Sequence, residues 1–289
     1  MTRVVDSLGE IAGDYDVVFC DLWGCLHNGL EPYDAAVEAL RNFRAGGGTV
    51  LLLTNAPRPR ADVARQIDQI GVPRDCWDVI ATSGDSARAA MFEGAVGRRV
   101  YHIGVAVETG FFEPMRLVED AIEIERVPLG EAEGIVCTGP FDPLAHPSEM
   151  RGDLHDAVNR GLKLLCANPD IVVDRGLERE WCAGAIAALY TELGGESLYF
   201  GKPHGPIYDL ARRRMVQAGA KEDARILAIG DGILTDVAGA EAAGLDVLFV
   251  TGGLAAEETG TTHQPDADLL QTWLEAQTHA PTYAIGFLR

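Results

Sequence analysis

The sequence predicts an α/β fold: a Rossmann-like, three-layer core on a parallel sheet, with a second α/β domain inserted into it. Three observations carry this expectation. Short apolar runs alternate with segments of helical periodicity, as when a parallel sheet is buried between helices. Polar clusters follow several of the runs directly, where parallel strands end. The stretch from about Gly97 to Gly195 repeats the alternation with runs of its own, enough chain to build a separate core.

The first run is Asp16 to Cys20 and the next is Thr49 to Leu53. Between them Asp34 to Phe43 places Val37, Leu40 and Phe43 on one face, and Gly46, Gly47 and Gly48 end the helix. That is a β-α-β unit. Val63, Ile67 and Ile70 share a second helical face, which leads through Gly71 and Pro73 to the run Val79, Ile80, Ala81. Near the other end, Ile207 to Met215 is helical by spacing, and Ile226 to Ile229 and Val247 to Val250 read as later strands of the same sheet. In the middle the runs are Val100 to Ile103, Gly134 to Thr138 and Leu162 to Cys166, with helices expected over Ser148 to Asn159 and Trp181 to Leu193. The expected division is a core of residues 1–95 and 196–289 and an inserted domain of 96–195. Gly252 to Pro265 is the longest loop-like stretch.

Composition excludes several classes. With 289 residues and 47% hydrophobic content the chain can bury a sizeable core, so disorder is not expected. A formal net charge of −20 repels polyanions, and no run of Lys and Arg offsets it, so no nucleic-acid partner is expected. An acidic protein that binds phosphate must concentrate positive charge locally, with a metal ion, a lysine and backbone N–H groups. Six cysteines are scattered without a C-x-x-C pair, and buried free thiols are the expectation. Met1 to Asp16 lacks a signal-type apolar region, and no apolar stretch reaches the ~18 residues of a spanning helix. A soluble, cytoplasmic protein with no membrane partner is expected.

The clusters after the runs are Asp21-Leu22-Trp23-Gly24, Thr54-Asn55-Ala56, Gly201-Lys202-Pro203 and Gly230 to Asp236. Asp21 follows Val17 to Cys20, so its carboxylate sits on a stiff strand tip. From there it can attack phosphorus and form an aspartyl phosphate; taken alone, it also fits a helix or turn cap. Asp231 and Asp236 lie on a glycine-bearing loop, as a hard oxygen site for Mg²⁺ requires, and equally as an ordinary Gly- and Asp-rich turn does. Mg²⁺ would keep neighbouring carboxylates ionised and shield the nucleophile from an incoming phosphate. Thr54 and Asn55 offer a hydroxyl and an amide to a phosphoryl oxygen, or cap a helix. Lys202, held between Gly201 and Pro203, can balance Asp21 and the charge developing on phosphoryl oxygens, or remain a solvated loop lysine.

In this order the four clusters resemble the motifs of the haloacid dehalogenase (HAD) superfamily, specifically its class IIA, NagD-like phosphatases with a C2-type cap. Asp21-Leu22-Trp23-Gly24-Cys25-Leu26 corresponds to D-x-D-G-[TV]-L, and Thr54-Asn55-Ala56 to T-N-N. Gly201-Lys202-Pro203 matches G-K-P, Gly230 to Asp236 matches G-D-x-x-x-T-D, and Ala167-Asn168-Pro169-Asp170 is similar to an A-N-P-D stretch of the caps. The resemblance covers nearly the whole chain. It implies a HAD-like core, a C2 cap at 96–195, and a Mg²⁺-dependent phosphatase acting on a small phosphorylated metabolite. It further implies that Asp21 is the nucleophile and that Asp21, Asp231 and the backbone carbonyl of Trp23 hold the metal, with Asp236 supporting them. Thr54 and Lys202 would bind phosphate, and Asn55 would lie beside the transferring group. Relatives with this cap often pair, so a homodimer is expected.

One departure outweighs the milder ones at Cys25 and Ala56. The second aspartate of the first motif, the family's proton donor and acceptor, is replaced by Trp23, and an indole does neither job. General acid–base assistance contributes about 10²–10⁴-fold, so ordinary sugar phosphates should react more slowly by a comparable factor. Compensation would come from His27 on the same loop, from a cap residue, or from a leaving group that needs no proton. His27 also fits a surface or cap-contact histidine, and His204 is a weaker substitute. Two other readings compete with the phosphatase. A phosphometabolite-binding protein would keep the ligands while Trp23 removes efficient turnover. A dehalogenase also carries an aromatic at this position, but Asp231 and Asp236 would have no evident use in it.

Overall fold

Apolar runs make buried strands, and those found in the sequence do so in the computed structural model, which describes residues 2–105, 109–115, 118–175 and 178–289. Among these residues the strands are β1 Arg3–Val4, β2 Val17–Cys20, β3 Thr49–Thr54, β4 Val79–Thr82, β5 Arg99–Ile103, β6 Glu125–Arg126, β7 Gly134–Cys137, β8 Lys163–Cys166, β9 Val172–Arg175, β10 Glu178–Trp181, β11 Glu196–Tyr199, β12 Ile226–Gly230, β13 Asp246–Val250 and β14 Tyr283–Ile285. The α-helices are α1 Asp34–Ala45, α2 Arg60–Ile70, α3 Ser83–Phe92, α4 Arg151–Asn159, α5 Ala183–Glu192, α6 Gly205–Gln217, α7 Ala238–Ala242 and α8 Ala267–Glu275. They fall into two units, one of Met1–Thr54, Ala64–Ala81 and Tyr208–Arg289 and one of Asn55–Val63 and Thr82–Ile207.

The first unit is built on the sheet of order β1-β14-β13-β12-β2-β3-β4. Its ladders from β1 through β14, β13, β12 and β2 to β3 are all parallel. Val17 to Cys20 and Val50 to Leu53 are at most 3% exposed, which is why neither run shows a polar alternation. α1 covers the sheet with the expected face, burying Val37, Leu40 and Phe43 together with Ala36 and Ala39. The register decides where the chemistry lies. Cys20 pairs with Ile229 on one side and Leu52 on the other, so Asp21, Asp231 and Thr54 emerge from adjacent strands at the same edge.

The second unit has a parallel sheet of order β11-β8-β7-β5-β6 and an antiparallel hairpin, β9 with β10. Alternate residues feed two cores: Ile135, Cys137 and Leu164 pack with Leu154, Ile186 and Tyr190, while Val136 and Leu165 pack with Ala87, Met91 and Phe92. α3 therefore belongs to this unit. Residues 55–63, 82–95 and 196–207, which the sequence assigned to the core, group with the inserted segment; α3 buries its apolar face there and β11 extends its sheet from β8. All six cysteines are free and buried, as expected. No helix among the described residues is long and apolar enough to cross a membrane.

Candidate functional site

The loop leaving β2 is wound tightly: the Leu22 carbonyl accepts from the N–H groups of Leu26 (2.8 Å) and His27 (3.1 Å), and Gly24 N–H donates to the His27 carbonyl (3.1 Å). Asp21 at its start donates its N–H to the Ile229 carbonyl at 2.8 Å, fixing it against β12. The carboxylates of Asp21 and Asp231 and the thiol of Cys25 are brought together, with their ligand atoms all within 4.8 Å of one another and all three residues buried. Burial first, then the Asp231 and Asp21 carboxylates, push the Cys25 thiol well above its usual range. Two buried carboxylates this close favour a cation between them, and their oxygens are the hard donors that Mg²⁺ or a similar ion takes.

Glycines shape the cradle. At Gly24, φ is +72° and a Cβ would stand 2.1 Å from Asp231 Oδ2; at Gly253 it would stand 2.0 Å from the same oxygen. Leu254 N–H donates to that oxygen at 3.2 Å, so Asp231 is aimed by backbone on both sides. Gly24→Ala should therefore strain the turn by about 1–3 kcal/mol and displace Asp231. The expected outcome is a lower melting temperature together with weaker divalent-cation binding in calorimetric titration; unchanged cation affinity would show that Asp231 does not need this approach. Asp236 has a different place. Its carboxylate accepts from Gly232 N–H (3.1 Å) and the Thr235 hydroxyl (3.4 Å), bracing the loop that carries Asp231. Thr54, 3% exposed, closes β3 beside these loops.

Trp23 is half-buried and held from behind. Gly29, with φ +88°, lies so close that a Cβ would be 2.3 Å from the indole Cη2, and the His27 ring meets the indole edge-to-face at 5.2 Å and 71°. His27 is not the surface histidine allowed by its sequence context. It is 1% exposed, its Nδ1 accepts the Gly29 N–H at 3.0 Å, and burial pulls its pKa down to about 4. It is therefore neutral near pH 7, and this hydrogen bond places its proton on Nε2.

Lys202 departs from expectation in one respect. It follows β11, an edge strand of the second sheet, so three of the four clusters, not four, leave the seven-stranded sheet. Lys202 is 3% exposed, and its peptide is clamped by Asn55, whose Oδ1 accepts the Lys202 N–H at 2.7 Å and whose Nδ2 donates to the Lys202 carbonyl at 3.1 Å. The same Nδ2 donates to Asp170 Oδ1 at 2.8 Å, and Asp170 N–H donates to Asn168 Oδ1 at 3.0 Å. The Asn55 amide thus serves to fix Lys202. His204 stacks on Tyr199 at 4.8 Å and 10°, and burial lowers its pKa. Cys25 and Asp170 are the groups sequence reasoning did not assign: Cys25 looked like a mild departure, and the role of Asp170 needs the fold.

Likeness to known proteins gives the family. A family described as haloacid dehalogenase-like hydrolase matches residues 18–113, and one described as HAD-hydrolase-like matches residues 199–276. A solved structure of a haloacid dehalogenase-like hydrolase from Brucella suis 1330 is 39% identical, covers 99% of this chain and 100% of its own, and superposes with a TM-score of 0.83. The chain belongs to the haloacid dehalogenase-like family. Within it the chain is of class IIA, NagD-like: the ribonucleotide monophosphatase NagD of Escherichia coli K12 is 24% identical over 82% of this chain and 88% of that protein. A D-glycerol 3-phosphate phosphatase of Mycobacterium tuberculosis is 29% identical over 85% of this chain. The match spans 65% of the length of that relative. A glycerol phosphate phosphatase from the same organism, solved in complex with magnesium, shares the fold with a TM-score of 0.69, 24% identity and coverage of 97% of this chain and 77% of its own.

Proposed function

We propose that this chain is a Mg²⁺-dependent phosphatase that hydrolyses a small phosphorylated metabolite through an aspartyl phosphate on Asp21. The observation that carries the proposal is the buried meeting of Asp21 and Asp231 at adjacent strand tips of a family whose relatives include phosphatases of glycerol 3-phosphate and ribonucleotides. The residues fit Mg²⁺, with Asp21, Asp231 and the Trp23 carbonyl as the ligands and Asp236 bracing the loop behind them. When bound, the ion would neutralise charge on the carboxylates and on the phosphoryl group. Asp21, kept ionised and aimed by β2, attacks phosphorus; Thr54 and Lys202 hold phosphoryl oxygens; Asn55 and Asp170 hold Lys202. His27 is assigned to supporting Trp23, since it is neutral and its Nδ1 is engaged. The segment 96–195 is proposed as a C2-type cap that chooses the substrate, in a cytoplasmic protein that pairs with a second copy.

Trp23 favours one rival, a phosphometabolite-binding protein with little turnover. Phosphate release from a panel of phosphorylated metabolites, measured with Mg²⁺ and again with chelator, separates the two. The expected outcome is release that chelator abolishes and Mg²⁺ restores. Absence of release from every compound, with ligands still raising the melting temperature, would instead favour the binding protein.

A further inference from the structure

The fate of the leaving oxygen decides which phosphates this site can turn over. When Asp21 attacks phosphorus, the bond to the leaving oxygen breaks and its electron pair stays on that oxygen. An alkoxide needs a proton at that moment; the anion of a phenol or an enol does not. The loop that carries the nucleophile has an indole where a donor would be useful. Trp23 offers only a donor N–H that does not ionise, Cys25 is sealed at 1% exposure, and His27 lies behind the indole with its Nδ1 engaged by Gly29.

The indole is also a built surface. Gly29 has no side chain and takes a positive φ so that the ring can lie against it, and His27 fixes the ring from the edge. Loops at the same edge of the sheet also carry exposed apolar side chains. Leu30, next to Gly29, is 73% exposed; Leu254, whose N–H holds Asp231, is 75% exposed; Leu234, in the Asp231–Asp236 loop, is 64% exposed. Flat, apolar leaving groups gain from such a surface, whereas a polyol does not.

We propose that the site is specific for phosphate esters of acidic hydroxyls, phenol- or enol-type, carried on a flat unsaturated group that lies against Trp23. This rests on the phosphatase reading above. In the first step the Asp21 oxygen forms a bond to phosphorus and the ester P–O bond breaks, releasing the phenolate or enolate without a proton. In the second, water attacks the same phosphorus and the P–O bond to Asp21 breaks. The carboxylate leaves as an anion, and both protons of the water end on inorganic phosphate. No proton is owed to either leaving group.

The test is kcat/KM with Mg²⁺ for a series of substituted phenyl phosphates of graded phenol acidity, for phosphoenolpyruvate, and for glycerol 3-phosphate. This constant reports the step that releases the alcohol. In the wild-type protein the expected result is a steep rise with phenol acidity, with glycerol 3-phosphate about 10²–10⁴-fold below the acidic phenyl esters. Trp23→Asp should flatten the series and raise the glycerol 3-phosphate value. Trp23→Phe, which keeps an apolar ring and adds no acid, should keep the steep dependence. If Trp23→Asp does not fold, the wild-type series alone decides. Equal turnover of glycerol 3-phosphate and phenyl esters, or a flat wild-type series, overturns the inference. Reaction of phosphoenolpyruvate alone would place the site with enols, and reaction of the phenyl esters alone with phenols. No release from any ester overturns the phosphatase reading itself, and the inference falls with it.

Discussion

Asp21→Asn should abolish turnover, with a fall on the order of 10⁴–10⁶-fold, the range seen when a nucleophilic catalytic group is removed. The amide has nearly the shape of the carboxylate, so β2, its N–H bond to the Ile229 carbonyl and the tight loop after it stay in place. What would be lost is the anionic oxygen proposed to bond to phosphorus. Cation binding should suffer far less, because Asp231 keeps both its charge and its backbone support from Leu254. Stability should move the other way. Asp21 and Asp231 repel each other when no cation lies between them, so the variant should melt no lower than wild type in chelator. Kinetics, calorimetric titration with Mg²⁺ and melting in chelator check the three parts. A variant that keeps roughly a tenth of the wild-type rate would remove Asp21 from the covalent chemistry.

The core strands were legible because burial on both faces leaves an uninterrupted apolar run, as in Val17 to Cys20, Val50 to Leu53 and Val247 to Val250. Elements without such a run were harder. β11, Glu196 to Tyr199, opens on two polar residues and leaves no apolar run, and β1 is two residues long and finds its partner β14 at the far end of the chain. α3 carries Ser, Gly, Asp and Arg among its alanines, and its helical face shows only once Ala87, Met91 and Phe92 meet Val136 and Leu165. That hidden face is why the expected domain boundary fell beyond α3.

In the site, strand-tip position alone singled out Asp21, Thr54 and Asp231, since a parallel register carries neighbouring tips to one edge. Groups that act through backbone were invisible. Nothing local tells that Gly253 and Leu254 aim Asp231, or that Asn55 spends its amide on the peptide of Lys202. His27 shows the limit most clearly. Its neighbours Asn28 and Gly29 suggest an open polar turn, yet the glycine exists to admit the indole, and the histidine closes the space behind it.

Arg88→Ala should cost about 3–5 kcal/mol, the usual penalty for removing one partner of a buried ion pair. Arg88 Nη1 meets Asp85 Oδ1 at 2.9 Å, with side chains 8% and 3% exposed. Its Nε and Nη2 also donate to the carbonyls of Phe111 (2.8 Å) and Glu113 (2.6 Å), so one guanidinium ties α3 to the segment after β5. Truncation removes the cationic partner of a buried carboxylate and the donors to two carbonyls at once. Arg88→Lys should recover little, because an ammonium cannot direct donors to three acceptors in the plane that the guanidinium spans. Of the four tryptophans, only Trp181 lies in the second unit. Denaturant unfolding followed by a single-tryptophan form retaining Trp181 therefore reads the unit in which the damage occurs. An Arg88→Ala midpoint equal to that of its parent would mean that water replaces the guanidinium at no cost, and that α3 is held by its apolar face alone.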